Sequence, residues 1–354
     1  MATILITDTD NSIVNKGFYY LLGFQPSLWW ILIKKNSVTL FFDDRYFEWI
    51  KKLNKKKILE KTGKNHIEFK NVKWNLIDDI LYECSTSNTL KLEERLTLKY
   101  FNEINSKSDL GFFLNPKKTE VIENYFLKKR IKKSRTEKIK LKKAIKIIEE
   151  VFLRIEKLNN TWDLKWKTEK FVWDFIIKNI IELWWEAESF NSIVAFWKNS
   201  AIPHHQTWNT KIWNWPLLID MWAIYEWYRS DFTNTSCKIT TICIWIWDKT
   251  WDYEKFEQIY NIAKKAHNET KKIAKPWISA MEIDKKARDI ITDAWYWEYF
   301  THSTWHWIWL NNHEAPYISK NSNEIITKDM VFTIEPWIYL PWKFWVRYEN
   351  IIFV

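Results

Sequence analysis

Glycine is almost missing from this 354-residue chain: there are four, Gly17, Gly23, Gly63 and Gly111, and none in the 243 residues that follow. Average usage of ~7% would supply about 25. Turns with φ > 0 normally use glycine, because a Cβ clashes there. Cysteine is also scarce. Cys84, Cys237 and Cys243 have no CxxC spacing, which argues against a disulfide framework or a zinc ribbon and fits a reducing cytosol. The opening Met1-Ala2-Thr3-Ile4-Leu5 lacks a basic segment before an apolar one, so no signal peptide is expected. No apolar run approaches the ~18 residues of a membrane span. Residues 1–160 carry 32 Lys+Arg against 20 Asp+Glu, and residues 161–354 carry 22 against 24. The basic residues are spread along helices without interleaved aromatics, and Lys, Asn and Ile are all abundant, so nucleic acid is not the expected partner.

Tryptophan is present in excess, with 27 in the chain and 23 of them after Gly111. They stand where turns need glycine: Pro276-Trp277, Pro336-Trp337, Pro341-Trp342, Trp208-Asn209, Trp213-Asn214-Trp215 and Trp251-Asp252. Trp buries about 150–250 Å² and suits exposed turns poorly. Glycine plus tryptophan is 31 of 354, an ordinary glycine content with a few tryptophans added. The reading is that most of these positions are glycine in the cell, with UGA decoded as glycine. The alternative is a chain truly rich in Trp, and the coding DNA separates the two. On the first reading, indoles at Trp305, Trp309 and Trp337 should crowd His306 and Glu335.

The fold class is α+β. Residues 1–120 read as mixed α/β, with a strand over Val38–Phe42 and helices over Arg45–Lys57 and Leu76–Tyr82. Glu120 to Lys157 has neither Gly nor Pro and repeats apolar residues at three and four, the pattern of a long amphipathic helical stretch. Further helices are expected over Lys167–Leu183, Asp252–Ala274 and Ser279–Ala294, the last opened by Ser279 and Glu282 at capping-box spacing. Strands are expected over Leu217–Ile224, Tyr228–Thr235, Lys238–Trp245, Val331–Glu335 and Val346–Val354. Domains are expected at 1–122 and 123–354. His66 and His267 read as surface residues, and Cys237 and Cys243 as buried strand residues.

Asp220 lies in an apolar strand and Asp231 in the returning one; a buried carboxylate needs a proton, a cation partner or a metal. His302, His306 and His313 fall within twelve residues, and Glu335 and Glu349 sit at strands near the C-terminus. Two Asp, two Glu and one His form an oxygen-rich set suited to divalent Mn²⁺, Co²⁺, Fe²⁺ or Zn²⁺. Four carboxylates balance two such ions, which together can activate water and polarise a carbonyl.

With Trp read as Gly, residues 302–318 become HSTGHGIGLNNHEAPYI, residues 219–235 become IDMGAIYEGYRSDFTNT and residues 333–349 become TIEPGIYLPGKFGVRYE. These three segments resemble the signatures of the pita-bread metallopeptidases, in the Xaa-Pro aminopeptidase and prolidase branch. A weaker likeness over residues 17–50 is to the branch's creatinase-like N-terminal domain. The resemblance implies a creatinase-like α/β domain followed by a pita-bread catalytic domain. It implies a cytoplasmic dinuclear metalloenzyme, Mn²⁺ being the first choice, that cleaves between an N-terminal residue and a following proline. A homodimer in which the N-terminal domain restricts the cleft is part of the expectation. By resemblance Asp220, Asp231, His306, Glu335 and Glu349 hold the metals. His204 assists the scissile amide, with His205 beside it as the alternative. His313 stabilises the tetrahedral intermediate, and Glu335 takes the proton of the water. His302 lines the substrate pocket, and Arg347 supports the ligands and substrate site. Asn234 stands where the family usually has Arg. The family also continues beyond the point where this chain stops, so the C-terminus reads as truncated. The rival readings are a prolidase limited to Xaa-Pro dipeptides, a methionine aminopeptidase, and a non-catalytic pita-bread binding protein.

Overall fold

The computed structural model describes all residues except 1, 8–15, 25–28, 73–75, 85–88, 94–95, 97, 110–117, 123–124, 161–163, 185–191, 203–204, 213–216, 237–250, 301–304, 308–313 and 341–342. Over 2–7, 305–307 and 314–317, and at several other element ends, it describes the backbone alone. Two compact units divide at Arg130/Ile131.

In the first unit a six-stranded mixed sheet has the order β4-β3-β2-β1-β5-β6. The strands are β1 Ala2–Thr7, β2 Trp30–Ile33, β3 Ser37–Phe42, β4 His66–Asn71, β5 Thr89–Glu93 and β6 Lys118–Ile122. Alternation along β2 sends Trp30 and Leu32 to one face and Ile31 and Ile33 to the other. Both faces are therefore covered. Ile77, Ile80 and Leu81 of helix Leu76–Glu83 pack on the first face, and Phe18, Leu21 and Ile58 pack on the second. The single helix expected over Arg45–Lys57 is broken. Leu53 turns extended, and the Asn54 side chain accepts the Lys57 N–H to cap a new helix, Lys55–Thr62, which ends on left-handed Gly63.

The second unit contains α7 Arg135–Asn160, α8 Glu169–Leu183, α9 Trp251–Ile273 and α10 Ala280–Asp293, numbered after six shorter helices in the first unit. The helical stretch expected from Glu120 instead begins at Arg135, because Ser134 and Glu137 cap each other's N–H groups there. A three-stranded antiparallel sheet pairs β8 Leu217–Met221 with β7 Ile193–Phe196 on one side and β11 Phe232–Ser236 on the other. A second sheet has the order β13 Glu314–Ile318, β12 Trp305–Trp307, β14 Val331–Ile334, β17 Asn350–Phe353. The hairpin of β15 Trp337–Leu340 and β16 Phe344–Arg347 lies between β14 and β17 in the chain. Apolar faces of α7 and α8 cover the first sheet, α9 covers the hairpin, and α10 covers β14. The strand expected over Val346–Val354 is two strands with Tyr348-Glu349 between them. The strand expected over Lys238–Trp245, with Cys237 and Cys243, lies outside the described residues.

Among the described residues seven non-glycine residues have positive φ, and five of them are tryptophan: Trp166, Trp197, Trp227, Trp277 and Trp295. Each setting is one that glycine normally fills. Trp277 follows Pro276 at φ 80°, and the Ile278 N–H donates to the Lys275 carbonyl, which makes a type II turn. Trp295 follows α10. Its N–H donates to Thr292 and the Tyr296 N–H donates to Ile291, the paired bonds of a Schellman cap with φ 66° at the glycine position. Glu226 and Trp227 are both left-handed between the short strands Ile224–Tyr225 and Tyr228–Arg229, as a type I′ hairpin requires. Trp277 is 81% exposed and Trp295 86%, so their indoles gain little from burial. The Trp337 indole is buried against Phe300 and Tyr339, on a backbone of ordinary φ. The side chains of Trp305 and Trp309 lie outside the description.

Candidate metal centre

Register brings the acidic residues together. Asp220 stands opposite Thr233 across β8 and β11, which puts Asp231 at the entry of the neighbouring strand. Glu349 follows β16; its N–H donates to the Thr233 carbonyl, and an isolated bridge joins Asn234 to Tyr348. Glu335 follows β14 directly. Asp220, Asp231 and Glu349 offer carboxylate oxygens that all lie within 4.8 Å of one another, and all three are buried. Arg347 threads the group. Its guanidinium pairs with Asp220, lies 3.6 Å from Glu349 and lies 3.9 Å from Glu335. Three buried carboxylates thus share one guanidinium, and the buried Asp231 lies beside two of them.

The electrostatics follow from that imbalance. Burial pushes the Asp231 carboxyl well above its ordinary range, and the Glu349, Asp220 and Glu335 carboxylates push it further. Burial and Glu349 raise Glu335 as well, while Arg347 opposes the rise. Glu349 is raised by burial, against the pull of Arg347. Asp220 Oδ1 is buried and has no hydrogen-bond donor among the described residues. A cluster that resists deprotonation, with an acceptor oxygen left without a donor, is short of positive charge. A divalent cation fits the need, because oxygen donors are the ligands such ions take.

His306 lies on β12, and the neighbouring Trp307 pairs with Phe332 of the strand that leads into Glu335. Its side chain is not described, and His204, His302 and His313 lie outside the described residues. His205 is described. Its Nε2 donates to Glu169 Oε2 at 3.0 Å.

Sequence reasoning passed over Thr233. Its hydroxyl donates to Glu349 Oε2 at 2.6 Å, and its place two residues after Asp231 on the same strand face was the available signal. His267 corrects the surface reading. It is 2% exposed, 4.9 Å from the Tyr348 ring, and burial lowers its pKa to about 4. Ala263, His267, Thr270 and Ala274 recur at helical spacing and are all buried, a stripe visible in the sequence. His66 is exposed, as expected.

Comparison with known proteins identifies the scaffold. The model of metallopeptidase family M24 matches residues 139–354. The chain is 29% identical over 343 residues to an Xaa-Pro dipeptidase of Pyrococcus horikoshii, covering 96% of this chain and 88% of the relative. A crystal structure of an X-Pro aminopeptidase from Thermotoga maritima superposes with a TM-score of 0.79 at 28% identity, covering 99% of this chain and 92% of that one. An Xaa-Pro dipeptidase from Bacillus anthracis gives 0.82 at 25% identity, covering 99% and 90%. The pita-bread resemblance of the three motifs and the α+β class both hold.

Proposed function

The chain belongs to metallopeptidase family M24, and from that premise we propose that it hydrolyses the bond between an N-terminal residue and a following proline. It is a peptide-bond hydrolase of the Xaa-Pro type. The observation that carries the reading is the buried convergence of Asp220, Asp231 and Glu349. These three, with Glu335 and His306, are the proposed ligands of two divalent ions, Mn²⁺ first, with Co²⁺, Fe²⁺ and Zn²⁺ as alternatives. Bound there, the ions supply an activated water and polarisation of the scissile carbonyl.

The chain's own residues do the rest. Asp231 and Glu349 would help hold both ions, and Thr233 orients Glu349 through its hydroxyl. Glu335 would take the proton of the water. Arg347 holds Asp220 in orientation. His204 donates to the scissile amide, His313 to the oxygen that develops negative charge, and His302 lines the substrate pocket.

A prolidase limited to dipeptides is the second reading, because dipeptidases stand among the relatives. A binding protein without catalysis is disfavoured by the intact acidic set. A tripeptide with proline in second position separates the enzymes. Release of its first residue supports the aminopeptidase; cleavage of Xaa-Pro dipeptides alone supports the prolidase. Failure to cleave either overturns both. The cytoplasm is the proposed location, and among the described residues no helix is long and apolar enough to cross a membrane.

A further inference from the structure

Glu169 is a fully buried carboxylate outside the acidic cluster. It opens α8, where Thr168 caps the helix by accepting the Phe171 N–H. Its oxygens collect donors from a separate segment. Oε1 accepts the Phe196 N–H at 2.7 Å and Asn199 Nδ2 at 2.8 Å. Oε2 accepts His205 Nε2 at 3.0 Å and the Trp208 N–H at 3.2 Å. The Glu169 N–H also donates to the Thr210 carbonyl. One side chain therefore ties down both arms of the turn that starts at β7 and returns through His205. A buried charge carrying several donors is costly to disturb, because each donor it releases is left unpaired.

The turn reaches the metal centre by a second route. Ser200 Oγ, buried within it, accepts the Trp345 N–H at 3.2 Å. Trp345 lies two residues before Arg347 on β16, and Arg347 is the guanidinium among the carboxylates. Helix α8 fixes Glu169, Glu169 fixes the turn, and Ser200 joins the turn to the strand that carries Arg347.

We propose that Glu169 is a positioning residue for Xaa-Pro peptide hydrolysis, holding the His205 imidazole and the Phe196–Trp208 turn in register with the Arg347 strand. The inference rests on the function proposed above. Holding reacting groups to within an ångström is worth about 10²-fold in rate. Because no metal ligand touches Glu169 among the described residues, the loss should fall on kcat rather than on metal content.

The test compares wild type with Glu169→Gln and His205→Gln on an Xaa-Pro peptide, with bound Mn²⁺ measured on the same samples. Gln keeps the size of Glu169, but its amide nitrogen cannot accept from His205 and Trp208. The expected result is a fall of about 10- to 100-fold in kcat, with KM within about twofold and unchanged metal stoichiometry. The double variant should lose little more than the worse single one, since both break the same link. Wild-type kcat in Glu169→Gln, or a loss matching its loss of folded protein or metal, overturns the inference. If Glu169→Gln does not fold, His205→Gln decides, because Glu169 keeps its other donors; unchanged kcat there overturns it. A wild-type chain that cleaves no Xaa-Pro peptide rejects the proposed function instead.

Discussion

Replacing Trp277 and Trp295 by glycine should stabilise the protein. Both residues hold left-handed backbone, at φ 80° and 66°, and both indoles are largely in water. A Cβ in that region costs roughly 1–2 kcal/mol. Glycine returns ~0.4–1 kcal/mol of that through its greater freedom in the unfolded chain. The net gain is about 1 kcal/mol per site, so the double variant should unfold about 4–8 °C higher, at ~2–4 °C per kcal/mol for a unit of this size. Differential scanning calorimetry on the two variants and their combination reads it. Trp297→Gly is the control. That indole is also exposed, but its backbone is not left-handed, so glycine there should cost about 1 kcal/mol. If the Trp277 and Trp295 variants melt lower, as Trp297→Gly does, the backbone argument is wrong. The same reasoning extends to the gene. If UGA is read as glycine, mass spectrometry of the chain from its own cells finds glycine at 277 and 295, and tryptophan there rejects the recoding.

Thr233→Val should weaken divalent-ion binding by about 10- to 100-fold in titration calorimetry, since it removes the bond that orients Glu349. The carboxyls of Asp231, Glu335 and Glu349 are raised, so the folded metal-free chain keeps protons that the unfolded chain releases. Their stabilising contribution is complete below the ordinary carboxylate range and disappears as pH rises through the raised values. In chelator, Tm should therefore fall as pH rises above the ordinary carboxylate range, and the Tm gain on adding Mn²⁺ should grow as it does. A metal-induced gain independent of pH contradicts the charge imbalance. His267 acts in the other direction. Its pKa is lowered to about 4, so its contribution is lost as pH falls below about 6.5 toward that value, and His267→Gln should lose less Tm over that interval. An identical pH profile in the variant contradicts the assignment.

Much of the scaffold was legible because its signals are local. The Ser279–Glu282 box opens α10 as its spacing implied, and β3 occupies its β-branched and aromatic run. The convergence of Asp220, Asp231 and Glu349 was legible only from the set, since a single Asp in an apolar strand is more often a turn or capping residue. The breaks were not. Asn54 and Ser134 start helices inside stretches whose apolar spacing ran on unbroken, and only the cap bonds reveal the interruption. Glu169 was hidden for a different reason. An acid in the first turn of a helix is ordinary, and its partners lie 27 to 39 residues away, joined by tertiary structure alone. The glycine-for-tryptophan reading drew on local turn signals: Pro276 marked the turn where Trp277 has left-handed backbone, Trp295 had no such mark, and Trp337 packs on ordinary backbone.

The most direct test of the account is the rate of proline-peptide cleavage by Asp231→Ala beside wild type, both loaded with Mn²⁺. Asp231 sits within the three-carboxylate cluster and is proposed to bridge the two ions. Its removal should abolish turnover, with the folded melting transition preserved. Turnover near the wild-type rate in Asp231→Ala would contradict the metal centre on which the rest of the account depends.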